Sequence, residues 1–298
     1  MKATIKLLII VTATLLLFTG VTSAKESKLR PYILASNNQE AGLEQMVKAT
    51  QKSLLQGGFR LAGEYSPYPD THITVITNQH LILTAEKSQF GGYGAAIRVA
   101  HTKIDGKIQL SYVNPLYMAQ VYRMSEDLST IHQKLKELLG NIREFGSEDG
   151  ITAKGLREYH YMTFMPYFDD HNELAKYDSY QAAVKAVMQG LAAEKGKVVQ
   201  VYRINLPSKK ETLFGVGIID KGEDGSDQTV MKTCDKSPLK HSAHLPYDLL
   251  ISGNKVYALH GKFRIAQSFP DLSMGTFMKI VGAPGSIEDI LTRVAQKR

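Results

Sequence analysis

A single cysteine, Cys234, stands in the 298 residues, so no disulfide can close within the chain. A lone thiol is either buried and inert, paired with another chain, or reactive or metal-ligating. Beyond residue 24 no apolar run approaches the ~20 residues that a membrane-spanning helix needs. Charge of one sign is nowhere concentrated. The 36 Lys and Arg are interleaved with 29 Asp and Glu, for a formal net charge of +7. A nucleic-acid reader needs a concentrated basic stripe, so that partner is excluded. Two phosphate- and metal-binding signatures are also missing. Gly91–Gly94 is glycine-rich but lacks the lysine and helix that complete a phosphate loop. The acidic loop of Asp220, Glu223, Asp224 and Asp227 lacks the ligand spacing and closing glutamate of a calcium hand, and reads as a solvated turn.

The N-terminus has a definite pattern. Lys2 and Lys6 precede the apolar run Leu7 to Val21, and Thr22, Ser23 and Ala24 follow as small residues. That is the order of a secretory signal peptide over 1–24, cleaved after Ala24. The run is about 15 residues, short for a bilayer span, and no cysteine near the cut offers a lipid anchor. Cleavage removes two lysines and no acid, so the charge falls from +7 to +5 (7 − 2). The predicted location is periplasmic or secreted, with no transmembrane span after cleavage.

The full sequence has 43 % hydrophobic and 22 % charged residues, the balance of a globular chain with real cores. Lys25 to Arg30 is polar and expected to be unordered. Pro31 to Ala35 reads as a strand. Glu40 to Gln56 reads as a helix with Leu43, Met46, Val47, Thr50 and Leu54 on one face. Strands at 59–65 and 71–77 follow. Ile97 to Tyr122 is a strand, an Asp-Gly turn, a second strand and a short helix opened by Pro115. Ser129 to Glu144 is an amphipathic helix with Ile131, Leu135, Leu138, Leu139 and Ile142 inward. After a Gly- and Ser-rich linker the order returns. A strand with alternating aromatics is expected at 157–165, then a loop to Asp178 and a helix at 179–194. Strands at 197–204 and 211–219 and a second hairpin unit over Pro246 to Phe269 follow. Closing helices are expected at 271–281 and 286–296.

The two halves match in order. Gly42 to Tyr65 and Ser179 to Tyr202 share a helix, a glycine break and a strand, and Lys255-Val256 answers Lys107-Ile108 across the tight turn. The predicted fold class is α+β, in two tandem repeats. Each is a largely antiparallel sheet with packed helices, in the order strand-helix-strand-strand-hairpin-helix. The expected division is a signal peptide 1–24, a first domain 31–144, a linker 145–156 and a second domain 157–298.

These patterns resemble the domain-of-unknown-function 302 family. The resemblance rests on the first amphipathic helix with Gly57 to Phe59 after it, on Ile97 to Pro115 with the following Met118 to Tyr122, and on Leu245 to Gly261 with the later Ile265 to Phe269. It spans nearly all of 31–144 and most of 157–298, the second copy being more divergent. It implies small α+β domains that self-associate, and no catalytic motif.

Chemistry is sought in the segment that the hairpin units do not share. Met231, Cys234, His241 and His244 are soft sulfur and imidazole donors suited to a copper or zinc ion. The spacing from cysteine to histidine fits no known metal motif. Cys234 with His241 or His244 could alternatively form a thiolate–imidazole pair. A second cluster comprises His160, Met162, Met165, Asp169, Asp170 and His171, which core packing explains as well. Tyr65, Tyr68, Tyr93, Tyr112, Tyr117 and Tyr122 are packing residues or the lining of a groove between the halves. The expectation is an exported envelope protein that binds rather than catalyses, with self-association or an envelope protein as partner. The alternative is a metal-binding or thiol-dependent enzyme centred on Cys234.

Overall fold

The computed structural model describes residues 27–38 and 42–296; the expected signal segment lies outside them. In chain order the strands are β1 (Lys28–Leu29), β2 (Tyr32–Asn38), β3 (Arg60–Tyr65), β4 (Thr71–Thr77), β5 (Ile97–Ile104), β6 (Lys107–Val113), β7 (Arg143–Phe145), β8 (Ile151–Thr152), β9 (Asn172–Lys176), β10 (Val198–Leu206), β11 (Glu211–Ile218), β12 (Tyr247–Ser252) and β13 (Lys255–Ala258). The helices are α1 (Leu43–Gln56), α2 (Gln79–Glu86), α3 (Pro115–Val121), α4 (Ser129–Leu139), α5 (Ala153–Arg157), α6 (Tyr180–Ala193), α7 (Asp227–Cys234), α8 (Gly261–Ala266), α9 (Met274–Met278) and α10 (Ala283–Gln296).

The α+β class is as expected. Eleven strands form one sheet in the order β7-β2-β6-β5-β4-β3-β10-β11-β12-β13-β9, with every pairing antiparallel. β1 and β8 make a separate antiparallel pair, so Lys28 and Leu29, expected to be unordered, form a strand. The order β2-β6-β5-β4-β3 in the first half is met by β10-β11-β12-β13-β9, the same succession reversed, in the second. The halves join at β3 and β10, where Gly63 pairs with Tyr202. A Cβ on Gly63 would lie 1.9 Å from the Val201 carbonyl oxygen, so only glycine lets the two edges close.

Local chemistry accounts for the elements. The Asp105-Gly106 turn between β5 and β6 has φ of 50° and 78°, the left-handed pair a two-residue hairpin requires. Asn114 caps α3 by accepting the Leu116 N–H, with Pro115 at the first helical position. In α1, Val47, Thr50 and Leu54 are buried at helical spacing. Ser179 caps α6, whose buried face is Ala183, Ala186, Val187, Gly190 and Leu191.

Four expectations fail. Gly140, at φ 96°, ends α4 early. The chain then turns into β7, and Ile142, expected inward, is exposed. The aromatic alternation at 157–165 is not a strand. Tyr159 and Tyr161 instead donate their hydroxyls to the Ala266 and Leu272 carbonyls. The strand before α6 is β9, inside the expected loop, so each long helix follows its strand closely. The closing helices are also displaced, to Met274–Met278 and Ala283–Gln296.

The sheet is strongly curled. β5 and β12 lie five steps apart in the order β5-β4-β3-β10-β11-β12, roughly 24 Å if flat. Arg98 on β5 nevertheless forms an ion pair with Asp248 on β12. Only a sheet folded back on itself brings these side chains together. One apolar core runs through both halves, from Ile33 and Leu54 to Leu291 and Val294. Two short helical turns complete the closure: Gly91–Gly94 packs on β11 and β12, and Ser242–His244 packs on β4, β5 and β6.

Candidate functional site

The segment from α7 to β12 carries the groups on which sequence reasoning placed chemistry. Ser226 caps α7 by accepting the Thr229 N–H. Just past the helix, Asp235 clamps the chain. One carboxylate oxygen accepts the His241 backbone N–H at 2.9 Å and the other accepts His241 Nδ1–H at 2.8 Å. That closure holds residues 236–240 as a loop against the first half. Gln109 on β6 fixes the loop twice, accepting the Lys240 N–H at 2.8 Å and donating to the Lys240 carbonyl at 2.7 Å. Thr102 and Tyr68 both donate to Ser242 Oγ, at 2.9 and 3.3 Å. First-half residues thus position a second-half loop.

Two clefts flank it. One, of about 460 Å³, is lined by Phe145 and Arg143 from the first half and by Cys234, Lys236, His241 and Phe269 from the second. The other, of about 490 Å³, is lined by Tyr68, Lys103, Met231, Asp235 and Lys240 among others. Both are in the size range of small-molecule sites. In the first, the His241 ring lies among Tyr32, Phe145 and Phe269, at centroid distances of 5.1, 5.6 and 5.0 Å. Asp235 holds Nδ1, and Nε2 has no hydrogen-bond partner among the described residues. Arg143, Lys236, Glu148 and Asp271 give the rim both signs of charge.

The four predicted ligands do not come together. Cys234 and His241 share the first cleft, and Met231 faces the second. His244 is buried and committed elsewhere. Arg264 donates to its Nδ1 at 2.8 Å, so its proton sits on Nε2, which faces the Tyr247 hydroxyl at 3.4 Å. Burial, then the Arg264 and Arg98 charges, holds this imidazole well below its ordinary pKa. Among the described residues no three His, Cys, Asp or Glu side chains converge as metal ligands, so the copper or zinc expectation finds no donor set. The thiol is buried, and burial with the Asp235 charge pushes its pKa up to about 12. It is therefore protonated at neutral pH, and Cys234 makes no hydrogen bond to either imidazole among the described residues.

The second cluster is likewise occupied. Asp169 pairs with Arg123 at 2.9 Å, and the His171 ring stacks on Tyr93 at 5.6 Å. The acidic loop departs from a solvated turn at one point. Asp227 is buried, accepts the Tyr65 hydroxyl at 2.6 Å and the Ile218 N–H at 3.1 Å, and burial raises its pKa to about 7.

Sequence reasoning passed over a buried polar centre beside the clefts. Asp248 receives Arg98 on one oxygen and the Tyr202 hydroxyl on the other. Burial is the largest influence on Arg98 and opposes its charge, but Asp248, Tyr202 and Tyr122 together outweigh it and keep the guanidinium protonated. Arg264 also donates to Ser268 Oγ at 2.8 Å and to the His244 and Pro246 carbonyls. The signal was present as Arg98 and Asp248, single charges inside the apolar runs of β5 and β12.

No known family, curated protein or solved structure matches the chain. No helix among the described residues is long and apolar enough to cross a membrane.

Proposed function

We propose that this is an exported envelope protein built from a duplicated α+β unit, a divergent relative of the domain-of-unknown-function 302 family. In this reading it works by binding rather than catalysis. The duplication is supported by the reversed strand succession on either side of β3 and β10 and by the matching helix after each half's first sheet strand. Export rests on the pattern of residues 1–24.

The observation that carries the binding reading is the first cleft. It draws its walls from both halves and pairs aromatic surface with a rim of both charge signs. His241 stands in it, oriented by Asp235, with Nε2 free of hydrogen-bond partners among the described residues. A wall of this kind favours a small organic molecule with one flat apolar part and polar or charged substituents. The protonated Cys234 is a wall residue in this account.

Native mass spectrometry of the chain purified from its own compartment tests it. The expected result is a co-purifying small molecule that His241→Ala or Phe269→Ala releases. A ligand-free chain, or a ligand unaffected by both variants, counts against the cleft. One observation favours the runner-up, a thiol-dependent enzyme: Cys234 lines the same cleft as His241, whose Nδ1 is held by Asp235. That reading needs a thiolate, which burial opposes.

A further inference from the structure

Two guanidinium groups lie in the interior where the halves meet. Arg98 on β5 is 2 % exposed and Arg264 on α8 is 3 % exposed. They share one carboxylate. Asp248 is paired with Arg98, and its same oxygen stands 3.8 Å from Arg264 Nε. The neighbouring acids are committed elsewhere: Asp227 to Tyr65 and the Ile218 N–H, and Asp235 to His241. His244 accepts from Arg264 and adds no charge. The centre therefore holds two cations against one contacting anion. An uncompensated charge in the interior costs several kcal/mol, because the low dielectric neither screens nor solvates it.

Hydrogen-bond accounting points the same way. Arg98 Nε, Arg264 Nε and the Tyr32 hydroxyl are buried, and among the described residues none meets a partner in good hydrogen-bond geometry, with Ser268 the polar neighbour of the Tyr32 hydroxyl. Buried donors of this kind are rarely left unmatched. The three side chains line one small cavity of about 20 Å³, together with Tyr117, Gln267 and Ser268. That volume admits one body the size of a water molecule, for which about 10–15 Å³ suffices. It excludes sulfate, phosphate and carboxylates. A water would answer the hydrogen bonds but not the charge.

We propose that this cavity is a halide site, in which one chloride neutralises the Arg98–Arg264–Asp248 centre. The ion would tie β5 of the first half to α8 of the second. The site shares the Tyr32 ring with the aromatic surround of His241, but the proposal does not depend on what the first cleft binds.

The test uses the full chain in sodium gluconate, with chloride or bromide titrated in at constant ionic strength while thermal unfolding is followed. A ligand bound only by the folded state raises stability with its concentration in a saturating form. Chloride and bromide should give that curve, and sulfate should not. Tyr32→Phe removes a hydroxyl that makes no well-formed hydrogen bond among the described residues, so it should fold normally in gluconate. Loss of one donor to the anion should weaken its apparent halide Kd about tenfold or more. Crystals grown in bromide should show an anomalous peak between Arg98 and Arg264. Halide dependence absent from the wild type, halide dependence unchanged in Tyr32→Phe, or a water in place of bromide would each overturn the proposal.

Discussion

The turns Gly91–Gly94 and Ser242–His244 occupy the same place in the two halves and solve the same problem differently. Each precedes a central strand, β5 or β12, and each packs on the sheet of the opposite half. The first does so by smallness. A Cβ on Gly92 would sit 2.5 Å from Leu250 Cδ1, so the backbone itself is the packing surface. The second does so by polarity. Ser242 takes hydroxyl donors from Thr102 and Tyr68, and His244 takes the Arg264 guanidinium. Polar groups can be buried only with partners, and the second turn finds its own on both halves. The glycine turn has the buried Glu211 carboxylate beside it, whereas the polar turn has clefts beside Asp235 and His241.

The largest expected effect breaks the lock at its charged centre. Asp248→Ala strands Arg98, and removing one partner of a buried pair costs about 3–5 kcal/mol. Denaturant unfolding should show a loss of that size; a loss below about 1 kcal/mol would mean that the guanidinium finds water instead.

The halves should also respond oppositely to pH. Asp227, in the second, has its pKa raised from 3.8 to about 7 by burial. The folded state then binds more protons than the unfolded one across that window. The stability is full below about pH 4 and is lost as pH rises through about 7. His101, in the first, is lowered from 6.5 to about 4, again by burial, with Thr50 2.9 Å from its Nε2. Its contribution is full above about pH 6.5 and is lost as pH falls through about 4. Wild type should therefore lose stability relative to Asp227→Asn between pH 4 and 7, and gain it relative to His101→Gln between pH 4 and 6.5. Each shift carries up to about 3–4 kcal/mol, and stability curves parallel to wild type would contradict the assignments.

The two turns can be compared directly. Gly92→Ala forces a methyl against Leu250 and should cost about 1–3 kcal/mol. Ser242→Ala removes one acceptor from two hydroxyls and should cost about 0.5–1.5 kcal/mol. A reversed order in urea midpoints would show that the polar turn, not the tight one, carries the closure.

Much of the fold was legible in local chemistry. The Asp105-Gly106 hairpin, the Pro115 helix start and the buried Val47, Thr50 and Leu54 of α1 follow from turn residues, caps and periodicity. Where the reading failed, a tertiary partner decided. The tyrosines at 159 and 161 alternate like a strand but are fixed by carbonyls more than 100 residues away. The site was legible only as a segment. Cys234 and His241 do share a cleft, but Met231 faces another and His244 is taken by Arg264. The pairing of Arg98 with Asp248 spans 150 residues and depends on the curl of the sheet, which no local pattern encodes.

The claim that the first cleft binds rather than catalyses turns on the state of one sulfur. The direct measurement is the rate of Cys234 alkylation by iodoacetamide in the folded chain from pH 5 to 10, with the unfolded chain as reference. A thiol held at about 12 should react far more slowly than the unfolded chain throughout, with no inflection near neutrality. Fast reaction with an inflection at or below pH 7 would contradict the account and establish a thiolate paired with His241.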